Sequence, residues 1–226
     1  DSKLDSDTSD GKSTQNYYSS ERGIAKLQKY AEEFGLGDTS GMEIPESDPQ
    51  ISDDNSVLSA IGQGTNNYTV SQINRYVTAV ANRGTVYSLS LIDKTTDSNG
   101  KLIKDYTPEV VNQMDEISSS TWDLVHNGME SMVKSSSTFA GMDISMGGKT
   151  GTAQYSKIHA DNVLFVGYAP ADSPEISIAV RIANGYASTY AAEIGRDITK
   201  VYFNPESADE LLQGYASSLG TAEAGD

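Results

Sequence analysis

GGKTGTAQ at residues 147–154, followed by the apolar run 163–168 and then by residues 175–184, is the part of this 226-residue chain that decides its fold. The last of the three segments alternates strictly. Ile176, Ile178, Val180 and Ile182 fall on one side and Ser177, Ala179, Arg181 and Ala183 on the other, because successive strand residues point to opposite faces. The first segment, extended to residues 145–155, is a glycine-rich strand. Strands in succession with short links imply an antiparallel sheet, since parallel neighbours need long crossovers. A helix over about residues 189–203 follows, with Tyr190, Ile194, Ile198 and Val201 as its expected stripe. The fold class is therefore α/β of the α+β kind, an antiparallel sheet flanked by helices.

Working upstream, a first helix carries Ile24, Leu27, Ala31 and Phe34 on one stripe, with Gly35 as its stop. Residues 37–55 are loop, with Pro45 and Pro49, and lead into Ile61-Gly62-Gln63-Gly64. Thr69 and Gln72 then form a capping box, the Thr oxygen taking a free N–H while Gln reaches back to the cap. Ile73, Tyr76, Val77 and Val80 make that helix's stripe, and Gly84 ends it. Residues 86–106 predict a hairpin of 86–92 against 102–106 about an Asn99-Gly100 turn. A further helix is expected from Ser120, boxed by Asp123, carrying Trp122, Val125, Met129, Met132 and Val133, with His126 beside its stripe. Ser135 to Thr138 predicts a loop. Residues 21–205 hold the core-forming pattern. Residues 1–20 are an acidic flexible arm or opened loop, and 206–226 a flexible tail. Asp5 and Asp7 have calcium-loop spacing, but Gly11 is one place late and Asn16 stands where a bidentate Glu is needed, so a solvated loop is expected.

Composition removes several functions. Lys and Arg number 16 against 32 Asp and Glu, and a net charge of −16 repels nucleic acid and anionic membrane surfaces. The absence of cysteine excludes disulfides, thiolate zinc sites and a cysteine nucleophile. His126 and His159 are too few for a histidine metal centre or a Ser-His-Asp triad, so no metal or cofactor is expected. No apolar run nears the roughly 18 residues of a membrane span, and this chain is expected to be soluble.

The chemistry lies in Lys149-Thr150-Gly151-Thr152. On a strand, Thr150 and Thr152 present hydroxyls to one face. Lys149 adds a fixed positive charge, and Gly151 lets another backbone approach. Unpaired strand N–H groups can bind an extended peptide, so the set suits a carboxylate at the end of such a chain. Gln154 and Tyr155 line the same groove. A hairpin strand with a solvated lysine satisfies this short motif equally well.

Larger stretches extend the match. GGKTGTAQ, LFVGYAP and EISIAVRIANG, preceded in the same order by KYAEEFGLGDTSGMEIP and AIGQGTNNYTVSQINRYVTAVANRG, resemble the C-terminal half of penicillin-binding protein transpeptidase domains. The likeness is collinear over about residues 21–205, and is nearest to class B enzymes of the penicillin-binding protein 2 type from Gram-positive bacteria. It implies a penicillin-binding transpeptidase or serine β-lactamase-like fold, present here as a partial domain. Family members use S-x-x-K, S-x-N and K-T-G to attack the acyl-D-Ala-D-Ala end of a peptidoglycan stem peptide, passing through an acyl-serine that β-lactams trap. By this resemblance Lys149, Thr150, Gly151 and Thr152 belong to the catalytic site. Lys149, Thr150 and Thr152, with Gln154, bind substrate, and the Thr152 N–H gives one oxyanion-hole donor. The parent would be membrane-anchored, working with cell-wall machinery at the outer face of the cytoplasmic membrane.

The nucleophile motif is the departure. Ser9-Asp10-Gly11-Lys12 lies in the arm, where nothing desolvates the lysine. Ser131-Met132-Val133-Lys134 lies on a helix only 15 residues before Lys149, whereas the family places its pair far upstream. Ser13-Thr14-Gln15-Asn16 is one residue too long for S-x-N. The expectation is a transpeptidase portion that is inactive alone. A β-lactam-sensing domain or a non-catalytic scaffold of the same fold are the alternatives; the 86–106 insertion and the IGQG helix favour the transpeptidase.

Overall fold

The computed structural model describes residues 3–4, 17–154 and 158–205, with positions 208 and 211. The expected calcium-like loop, Ser9–Lys12, Tyr155, and nearly all of the 1–20 arm and 206–226 tail lie outside the described residues.

Chain order runs β1 (Lys3–Leu4), β2 (Tyr17–Tyr18), α1 (Ser20–Glu33), α2 (Ser56–Ala60), α3 (Val70–Ala81), β3 (Thr85–Tyr87), β4 (Lys94–Thr96), β5 (Leu102–Asp105) and β6 (Val110–Gln113). It continues through α4 (Ser119–Ser135), a 3-10 turn (Ser137–Phe139), β7 (Gly147–Ala153), β8 (Asn162–Ala169), β9 (Ile176–Ile182) and α5 (Ser188–Phe203). The main sheet is antiparallel in the order β7-β8-β9, as the alternation predicts. Its register places Gly147 opposite Tyr168, Lys149 opposite Val166 and Gly151 opposite Leu164, which in turn faces Arg181.

One face of this sheet carries the core. Phe165, Val163 and Ile178 pack with Val133, Phe139, Met146, Ala191 and Ala192, with Ile176, Val180 and Ile182 around them. The other face meets α3, joined to β9 by Thr78 and Ser177. Helix α3 starts at the expected capping box: Thr69 accepts from the Gln72 N–H, and the Gln72 side chain accepts from the Thr69 N–H. It ends before Gly84, whose φ of 111° is a left-handed value.

Four expectations need correction. Residues 86–92 do not pair with 102–106. β3 pairs instead with β6, and within that outer ladder β4 pairs with β5 around the Asp97–Gly100 turn. The turn chemistry was legible but the outer partner was not, because Val110 lies beyond the segment read as a hairpin. Helix α4 is capped by Ser118, which accepts from the Thr121 N–H, rather than by Ser120. Residues 135–138 are partly helical. On α5, Tyr190, Ile194 and Ile198 are 54%, 43% and 44% exposed, while Ala191, Ala192, Gly195 and Thr199 are buried. The small stripe wins because it lets the helix lie close to the sheet: a Cβ on Gly195 would collide with the Phe165 ring. The short α2 was also unanticipated.

Candidate ligand-binding strand

β7 is an edge strand among the described residues, hydrogen-bonded on one side to β8. Helix α4 lies against its beginning. Met132 fills the space beside Gly148, and a Cβ on Gly148 would fall 2.8 Å from the Phe165 ring. Gly147 and Gly148 are accordingly buried, whereas Lys149 and Thr152 are exposed and Thr150, Gly151 and Ala153 half-buried. The edge opens at the lysine.

The two threonines share a face, as their spacing predicts, and Lys149 starts from the opposite one. Its Nζ turns back over the edge and donates to Thr150 O. Among the described residues no carboxylate pairs with Lys149. Among the described residues nothing crowds Gly151, where a Cβ would meet only Leu164 Cβ at an ordinary 3.7 Å. Its freedom to admit another backbone therefore concerns a molecule outside the chain. Within β7, the glycines required by packing are Gly147 and Gly148.

An open cavity of 1040 Å³ lies over the Lys149 side of the sheet, bounded by Ala153, Gln154, Leu164 and Arg181 and, opposite, by α1 and α3. Gln154 is exposed and lines it, whereas Lys149, Thr150 and Thr152 are not in its lining. Arg181 stands on the face of β9 opposite the apolar one, facing Leu164. It donates to Asn162 Oδ1 at 3.2 Å on the cavity wall. Tyr68 also lines the cavity; burial pushes its phenol up to about 12, and it donates to Asn66 Oδ1 at 3.1 Å. Tyr68 was missed because its role depends on the loop that brings residues 62–68 toward the sheet, a long-range placement with no local pattern.

Ser131 and Lys134 do not form a nucleophile pair. Ser131 is exposed, and Lys134, 69% exposed, is bound to Glu130 at 2.5 Å. The Lys134 ammonium is thus engaged by Glu130 in solvent rather than by Ser131. His126 is buried and structural, with Nε2 2.8 Å from Val80 O. His159 is exposed in a bend after β7. The site as a whole offers one ammonium that no carboxylate among the described residues neutralises, two hydroxyls and an open strand edge. That set can bind a carboxylate-bearing extended chain, but it holds no activated nucleophile of its own.

Comparison with known proteins bears on what such a strand serves. Residues 12–200 match the family model of the penicillin-binding protein transpeptidase domain. Penicillin-binding protein 2B of Streptococcus pneumoniae is 29% identical over 208 residues, covering 80% of this chain and 30% of that protein. Penicillin-binding protein 2A of Bacillus subtilis is 31% identical over 212 residues, covering 81% and 29%. The solved structure of the S. pneumoniae 2B protein superposes with a TM-score of 0.71 at 28% identity, over 86% of this chain and 36% of that one. Pseudomonas aeruginosa penicillin-binding protein 2 in complex with WCK 5153 gives 0.65 at 25% identity, over 80% and 44%. The chain thus spans about 30% of the length of the curated relatives it matches. The family match over residues 12–200, together with the superposition on a solved penicillin-binding protein, leads to one assignment: this chain belongs to the penicillin-binding protein transpeptidase domain family.

Proposed function

We propose that this chain is the K-T-G portion of a peptidoglycan D,D-transpeptidase, an activity named for a relative from Haemophilus influenzae that is 25% identical over 220 residues. Lys149, Thr150 and Thr152 hold the terminal carboxylate of an acyl-D-Ala-D-Ala stem peptide, or of a β-lactam in its place. The Thr152 N–H takes up charge on the scissile carbonyl oxygen, and Gln154 borders the acyl side of the groove. A serine outside this chain attacks that carbonyl. The carbonyl–nitrogen bond breaks, D-Ala leaves, and an amine then attacks the acyl-serine to complete the cross-link. The substrate places the parent protein at the outer face of the cytoplasmic membrane, together with other cell-wall proteins. No helix among the described residues is long and apolar enough to cross a membrane.

The observation that carries this reading is the open edge from Lys149 to Ala153, with an ammonium that no carboxylate among the described residues neutralises and two hydroxyls beside it. An ammonium and oriented donors at a site of developing negative charge supply a large share of acyl-transfer catalysis. With no activated nucleophile among the described residues, the chain alone is expected to be inactive. The test is intact mass after incubation with excess benzylpenicillin, for this chain and for the gene product extended upstream. An adduct on the longer protein alone supports the reading. An adduct on this chain places the nucleophile within it, and the absence of any adduct overturns the transpeptidase assignment.

A further inference from the structure

Two buried titratable groups behind β7 have no part in the chemistry above. Tyr168 is fully buried on β8, opposite Gly147. A Cβ on Gly147 would collide with Tyr168 Cζ and lie 2.6 Å from Oη, so the tip of the phenol rests directly against the glycine. Oη is buried without a hydrogen-bond partner among the described residues. A phenylalanine would avoid that desolvation cost and keep Cζ beside Gly147, but would lose the Oη contact at the ring's tip. The far side of the Tyr168 ring meets His126, with centroids 5.2 Å apart. His126 Nε2 is 2.8 Å from Val80 O, and because a carbonyl only accepts, Nε2 carries the proton. Val80 is in the last turn of α3 and its carbonyl also accepts from the Arg83 N–H at 3.2 Å, so the imidazole is tied to a fixed helix end. A line of contacts therefore runs from α3 through His126 and Tyr168 to Gly147. Lys149 leaves the same face of the strand two residues further on.

We propose that Tyr168 and His126 are positioning residues for the ligand-binding strand: His126 braces the phenol, and the phenol tip sets Gly147 and with it the exit direction of Lys149. The inference rests on the transpeptidase reading for its effect on activity. Burial pushes the phenol up to about 12, an effect Glu130 adds to and Arg83 opposes, so the group filling this space stays neutral. The arrangement accepts an unsatisfied hydroxyl for the sake of a fixed strand, a local conflict of the kind expected beside functional sites.

The test uses the full-length gene product, in which acylation by benzylpenicillin is followed by mass alongside thermal unfolding and amide exchange of residues 148–152. Tyr168→Phe is expected to melt no lower than wild type, since it removes a buried unpaired hydroxyl. It should nevertheless acylate about tenfold more slowly, the scale of loss that a small misplacement brings. His126→Leu should show the same slowing, and His126→Gln, which keeps a donor for Val80 O, should recover most of it. Wild-type acylation rates in Tyr168→Phe would overturn the proposal. If the wild-type protein does not acylate at all, the transpeptidase reading fails instead. Faster exchange over 148–152 in Tyr168→Phe would then still support the brace, and unchanged exchange would overturn it too.

Discussion

Thr78 Oγ1 and Ser177 Oγ lie 2.7 Å apart, joining α3 to β9 across 99 residues of sequence. Asn74 completes the staple, its Oδ1 accepting from Ser177 Oγ at 3.2 Å and its backbone carbonyl from Thr78 Oγ1 at 2.9 Å. Ser177→Ala should cost about 1 kcal/mol, the net worth of one neutral hydrogen bond. In urea the midpoint should fall with an unchanged slope, and a cycle with Thr78→Val should show non-additivity.

Glu46 predicts an acid-side loss of stability. Desolvation, the largest single influence, pushes its pKa up. Hydrogen bonds from the Ser40 and Ser71 hydroxyls, the Ser40 N–H and the Thr69 hydroxyl together outweigh it and hold the group below its ordinary 4.5. The folded state thus binds this proton less readily than the unfolded chain. The stabilisation is complete above the unfolded value and drains away as pH falls through the folded one. Melting temperature against pH should therefore drop more steeply below about pH 4.5 in wild type than in Glu46→Gln.

Gly195 sets two effects against each other. Alanine gains about 1 kcal/mol of helix propensity, but its Cβ collides with Phe165 in a filled core, and overpacking costs about 1–3 kcal/mol. Gly195→Ala is expected to lower the melting temperature, and Phe165→Leu in the same molecule to recover part of the loss. A higher melting temperature would show that α5 can lift away from the sheet.

Lys149→Ala removes an exposed side chain whose hydrogen bond is to its neighbour's carbonyl, so circular dichroism and unfolding should be unchanged. In the upstream-extended protein, benzylpenicillin acylation should fall about 100-fold, the usual effect of deleting one preorganised electrostatic partner. Lys149→Arg should recover only part, because a planar guanidinium does not replace a compact ammonium. A time course of adduct mass distinguishes the three proteins.

The three-stranded sheet was legible because residues 175–184 hold a period of two without a break, and the Thr69–Gln72 box because capping is local. Side choice was not. Helix α5 carries a large stripe, Tyr190, Ile194 and Ile198, beside a small one, Ala191, Gly195 and Thr199, and periodicity cannot say which meets the sheet. Arg75 shows the same limit. It is buried in α3 because the carbonyls of Gly35, Asp38 and Thr39 accept from its guanidinium, a partnership no helical pattern encodes. At the ligand-binding strand the residue types of Lys149, Thr150 and Thr152 could be read directly. The glycine register behind them, Gly147 on Tyr168, required strand pairing.

Because α4 seals the edge at Gly147 and Gly148, the strand cannot zip along its whole length with a second one. Its usable portion, Lys149–Ala153, is about 17 Å long at some 3.4 Å per residue. The helix therefore acts as a ruler. It leaves room for the short extended guest of the proposed function, and it denies the longer backbone register through which exposed edges recruit one another into aggregates.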